Sequence, residues 1–401
     1  LGHFLPHLNS NSTMSLSAAL VLIFSFHVNA LLSQPWIPHR TRWPLASLGA
    51  VSDPGLPFPE PYDVLVGSKV LNASGSRTTA LRGLLPARKE NIFDQLPWSD
   101  SQRRGALVVL SPAFGDFDSA EYAELLHAVL PDLRKARIDL RIIGIGSPDS
   151  CRLAAAAAKM SRDNVFFADP DGAIHRALGL HGGPDWDVPS FVPEWLLEWF
   201  ADYTGAGDDP DKTGVARAWL NYMAMCAGIA APDTLPEILR GYVGDRSAPE
   251  RLRFDETIVA GGGFVEITGV SDVVLGPIRY RSAWADEVGY QRPAELATVR
   301  LRALADVLEN FSTYVPDQKN LQLRGATFLF DADGKVIYEH RDTGVLAYSE
   351  TMARPLMFLA PYIGHERASN PLRLGDASYR SNPDMAKKSA WEHPRHRLFW
   401  S

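Results

Sequence analysis

The sequence predicts an α/β fold: a parallel sheet flanked by helices, a long and mostly helical insertion, and a closing β-hairpin. Three observations carry that expectation. The apolar run LVVL over 107–110 has the length and β-branched content of a buried strand. Tyr122, Leu125, Leu126, Val129 and Leu133 then fall at i, i+3, i+4, i+7 and i+11, one face of a helix. A second apolar run at 140–145 follows a short break, so the three segments read as a βαβ unit with parallel pairing.

Between strand and helix lies a turn with Pro112, Gly115, Asp116 and Asp118. Asp118 with Glu121 fits a capping box, a side-chain acceptor answered three residues on, and starts the helix at 119–135. A second helix is expected at 150–161, where the alanine run 154–158 has high helix propensity, and a third strand at 165–168. The closing hairpin, ATFLF and KVIYEH around Asp331, Ala332, Asp333 and Gly334, arrives only after roughly 140 further residues, 181–320. A segment of that length needs structure of its own.

The insertion opens with FVPEWLLEWFADY, where Val192, Trp195, Leu196 and Trp199 make one apolar face. The face is read as covering the domain's own core, with docking to a partner or membrane surface as the alternative. An apolar helix, a shorter one, a hairpin within 254–274 and a helix at 295–311 follow. In the last of these Leu296, Val299, Leu304 and Val307 point inward and Arg300, Arg302, Asp306 and Glu309 outward. Residues 350–364 form a final helix, and 365–401 a tail without period that is ordered on a partner.

Upstream, the chain from Met14 has a short apolar core ending in small residues, so 1–30 is read as leader and signal peptide. Residues 31–52 carry Arg40 and Arg42 with several hydroxyl residues and no acid, as in a transit peptide. The two in series suggest a plastid; the alternative is secretion, where the sequons at Asn72 and Asn310 would be used. Residues 53–104 are a Pro-rich arm with one short strand at 64–66, and the domain proper spans 105–364.

Composition excludes several classes. A net charge of -7 offers no blanket attraction for nucleic acid. Two cysteines, Cys151 and Cys226, make neither a disulfide scaffold nor a structural zinc site. Gly261, Gly262 and Gly263 lack the spacing of a phosphate loop, and His393 with His396 lacks a third metal ligand, so no cofactor or metal is expected.

Three stretches carry a family resemblance: P-A-F-G-D-F-D-S from Pro112, FFADPDGAIHRALGL from Phe166, and LRGATFLFDADGKVIYEHRD from Leu323. Together they resemble the AhpC/TSA (alkyl hydroperoxide reductase, thiol-specific antioxidant) peroxiredoxin-like family, most closely a long branch associated with photosynthetic lineages. The resemblance implies a thioredoxin-like fold and peroxide reduction by a thiolate. It matches Pro112 to the motif, sets Asp116 in the place of Thr and Ser119 in the place of the peroxide-attacking cysteine, and makes Arg324 the active-site arginine. A hydroxyl without a strong base does not replace that thiolate. The implied function is therefore a non-catalytic scaffold or accessory protein of a plastid complex, with a protein partner and no transmembrane span in the mature chain. Two alternatives are a thiol oxidoreductase using Cys151 at a helix start, with glutathione or thioredoxin, and a binder of small anions through Arg324. Charge complementarity suggests that Asp116 pairs with Arg324.

Overall fold

The computed structural model describes residues 60–78, 105–160, 165–184, 193–205, 208–243, 257–261, 264–268, 273–275, 300, 303–304 and 306–372. The leader, signal and transit expectations, Val192, Leu296, Val299, Arg302, His393 and His396 lie outside them.

The first described element is helix α1, Pro61–Gly67. Its first-turn Pro61 has a preset φ and no N–H to strand. Tyr62 and Leu65, three apart, go into the core. The strand expected at 64–66 is therefore helix. A hairpin follows, β1 (Val70–Asn72) and β2 (Arg77–Thr78), closed by Asn72, whose Oδ1 accepts from the N–H groups of Ser74 (3.1 Å) and Ser76 (3.0 Å).

Next comes β3 (Gly105–Ala113), α2 (Phe117–Lys135), β4 (Ile138–Ile145), α3 (Pro148–Ala157), β5 (Phe166–Asp169) and the short α4 (Ala173–Ala177). Helix α2 starts two residues earlier than expected, with Asp116 as N-cap and no side-chain cap. The capping box does not form: Asp118 accepts the Leu346 N–H (2.7 Å) and Glu121 pairs with Arg300, so tertiary partners have taken both side chains. The box sits one helix on, where Ser147 and Ser150 cap α3 reciprocally.

The insertion holds α5 (Glu194–Tyr203), α6 (Lys212–Cys226) and α7 (Thr234–Val243). A separate antiparallel sheet follows, made of β6 (Thr257–Gly261), β7 (Phe264–Thr268) and β8 (Val273–Leu275). Residues 300, 303–304 and 306–309 are helical, with Leu304 and Val307 buried as expected. Arg300, expected outside, is buried between two carboxylates instead. In α5 the inward residues are Leu197 and Ala201, while Trp195, Leu196 and Trp199 are exposed. The apolar stripe read as a core face is a surface, because the helix docks through Leu197 and Ala201 instead.

After α8 (Phe311–Tyr314), the chain returns to the sheet as β9 (Ala326–Phe330) and β10 (Val336–Arg341). Gly334 takes the positive φ (77°) that their turn requires. The single last helix expected at 350–364 is instead a 3₁₀ turn (Met357–Leu359), α9 (Ala360–Ile363) and α10 (His365–Ser369), as Pro361 and Gly364 interrupt it. Residues 365–372 are anchored rather than tail: Arg367 bonds Asp132 (2.8 Å) and the Ala128 carbonyl of α2.

One sheet runs β10-β9-β3-β4-β5-β1-β2. β3, β4 and β5 are parallel, β9 is antiparallel to β3, and β1 is antiparallel to β5. Alternate residues serve the two faces. Leu107, Val109, Ile142, Phe166 and Leu329 pack against α2, α3 and α6, whereas Val108, Leu110, Ile143, Phe328 and Phe330 pack on α1 and α4. This is a thioredoxin-like sheet flanked by helices. No helix among the described residues is long and apolar enough to cross a membrane.

Candidate functional site

The carboxyl end of β3 feeds α2 through the turn at Phe114 and Gly115, and the hairpin strand β9 lies beside it. That adjacency brings Arg324, two residues before β9, to Asp116 at the α2 N-cap. The pair is fully buried, with both side chains at 0% exposure. Arg324 has further partners: Nη2 donates to the Leu321 carbonyl (2.8 Å), Nε to the Gln322 carbonyl (3.2 Å), and its backbone N–H to His181 (2.7 Å). The Tyr222 ring of α6 lies 5.3 Å from the guanidinium carbon, a cation–π distance. Gly325 has to be glycine here, since a Cβ would run into the Leu110 carbonyl and the Asp342 carboxyl.

Three carboxyl groups face this one guanidinium. Burial, then the neighbouring Asp116, pushes Asp118 well above the usual carboxylate range. Burial also raises Asp342 to about 8, although Arg324 and the Gly325 N–H (3.0 Å) oppose the shift. Burial works against the charge on Arg324, but Asp116 and Asp118 outweigh it and the group is held more firmly protonated than usual. One ion pair and two carboxyls biased towards neutrality keep the cluster near electrical balance.

Ser119 lies one residue after Asp118, half-buried, and its hydroxyl reaches Asp118 Oδ1 at 3.4 Å. That reach is long, and the other oxygen of Asp118 is already taken by the Leu346 N–H (2.7 Å), so this contact is a weak one for activating the serine. Ser119 and Pro112 line a cavity of about 20 Å³ together with Ser111, Tyr122, Asp342 and Tyr348. That is room for about one water. Arg324 is not in its lining. The guanidinium expected to receive a small anion already gives Nε, Nη1 and Nη2 hydrogen bonds to internal acceptors.

Cys151 is in the first turn of α3, where its N–H bonds Ser147 O, but it is fully buried among core residues. Burial pushes its thiol up to about 12, opposite to the depression expected from a helix start. Cys226 is also raised to about 12, by burial and then by Asp116. No cluster of metal-ligating side chains occurs among the described residues.

The motif reading thus brings Pro112, Asp116, Ser119 and Arg324 to one end of the sheet and leaves Cys151 in the core. It missed Asp342 and Tyr222. Asp342 ends the quoted EHRD stretch and follows β10 directly, so an acid beside the Arg324–Gly325 pair was a usable signal. Tyr222 comes from the insertion and carries no local mark.

A strand–turn–helix end with a buried arginine from the adjoining hairpin defines a thioredoxin-fold protein of peroxiredoxin type. The chain belongs to the AhpC/TSA antioxidant enzyme family, whose model matches residues 125–344. The match begins inside α2, after Ser119, and runs through the insertion into the segment that follows β10. No curated protein and no solved structure matches the chain.

Proposed function

We propose that this protein is a non-catalytic member of its family, an accessory or scaffold protein of a plastid complex. The observation that carries the reading is the buried Arg324–Asp116 pair beside Ser119. The arginine that would stabilise a thiolate is consumed internally, and the position that would carry the thiol holds a hydroxyl. The exposed Trp195 and Trp199 of α5 supply a surface for a protein partner. The signal-like and transit-like leader segments support the plastid address.

The test is incubation with hydrogen peroxide and a dimedone-type probe. No peroxide consumption and no sulfenic label on either cysteine are expected. Label at Cys151 that disappears in Cys151→Ala, accompanied by turnover, would restore the thiol oxidoreductase reading and end this one.

A further inference from the structure

Helix α5 shows two parallel stripes. Glu194, Glu198 and Asp202 recur at i, i+4 and i+8, and Trp195, Trp199 and Tyr203 run beside them, all six exposed. Trp195 is 66% and Trp199 55% exposed, and Trp199 stacks on Tyr203 at 5.6 Å. The helix is held from the other side, where Leu197 and Ala201 are buried.

Asp202 already holds Lys212 (2.8 Å), which leaves Glu194 and Glu198 to edge the aromatic row, and such a row selects an occupant carrying aromatic rings and basic groups together. It disfavours an anionic membrane surface. The segment 385–401, MAKKSAWEHPRHRLFWS, has that chemistry: Lys387, Lys388, Arg395 and Arg397 against the single acid Glu392, with Trp391, Phe399 and Trp400. Its charge is opposite in sign to the -7 of the whole chain.

Residues 373–384 are long enough to run the length of α2. Arg367 of α10 is fixed to Asp132 near the carboxyl end of α2, whereas α6, against which α5 packs, meets the Arg324–Asp116 pair at the other end. The 19 residues of α2 span about 28 Å. Residues 373–384 extend to at most about 40 Å.

We propose that residues 385–401 lie across the exposed face of α5 of the same chain, so that an incoming partner has to displace them. This rests on the reading of that face as a docking surface. Hydroxyl-radical labelling of the full chain, read by mass spectrometry at Trp195 and Trp199, tests it. Labelling is expected to be low in the parent. It rises several-fold when Lys387, Lys388, Arg395 and Arg397 are all changed to Glu, and falls again when Glu194→Lys and Glu198→Lys are added. Added salt acts like the reversal. Circular dichroism checks the fold of each variant, and Glu194→Lys with Glu198→Lys alone gives the same rise by an independent route.

Labelling unchanged by either reversal overturns the proposal. So does protection lost on dilution, which assigns the covering tail to a second copy, or protection lost only with Arg40→Glu and Arg42→Glu, which assigns the protection to the segment 31–52, where Trp36 and Trp43 flank those arginines. The partner reading fails separately, if capture of a plastid partner survives Trp195→Ala with Trp199→Ala.

Discussion

Asp342 shows how a single side chain couples this site to solution conditions. Its carboxyl is raised to about 8 when folded, chiefly by burial, against 3.8 ordinarily. Between those values the folded chain binds more protons at this group than the unfolded one, so the group's contribution to stability is fully present below pH ~4 and is lost as pH rises towards ~8. At about 1.4 kcal/mol per unit the contribution amounts to a few kcal/mol, and Asp118 acts in the same direction. Asp342→Asn keeps an oxygen for the Gly325 N–H and removes the titration. Denaturant midpoints measured from pH 5 to pH 8 are expected to fall in the parent and to fall less steeply in the variant, where Asp118 still titrates. The identities at this end of the sheet were readable from the motif frame in the sequence. Their protonation was not, because burial from all sides decides it and the burying groups are far apart along the chain.

At the scale of elements, Arg300 ties three segments together. Its Nε donates to Glu121 of α2 (2.9 Å) and its Nη2 to Glu237 of α7, all three side chains being under 10% exposed. The insertion is thereby fastened to the helix that carries Ser119. Arg300→Ala leaves two carboxylates buried without their cation and is expected to cost about 3–5 kcal/mol in chemical denaturation. Arg300→Lys is not expected to recover it, since one ammonium does not reproduce the guanidinium fork. Strands and long helices were legible from period and composition. The facing of charged and aromatic residues in the insertion was not: periodicity finds a stripe but not its direction, and both Arg300 and the α5 tryptophans reversed expectation for that reason.

For the whole molecule, the α/β class and the delayed hairpin followed from the spacing of apolar runs, and the family match over 125–344 agrees with them. The short helices after residue 350 did not, since prolines within an apolar run are satisfied by tight turns that only the finished core selects. Address is a property of the whole chain as well. Under the proposed plastid address, N-terminal sequencing of the native protein is expected to begin downstream of residue 52; a start directly after Ala30, with glycan on Asn72, would favour secretion.

The two rims of the main sheet are finished differently. One ends in the two-residue β2, and the other is β10, irregular between Val336 and Tyr338 and bearing Glu339 and Arg341. Among the described residues, neither rim of this sheet offers a long flat template to a neighbouring strand. Assembly into a larger complex would then proceed through helical faces, leaving the backbone ladder of the sheet closed to strangers.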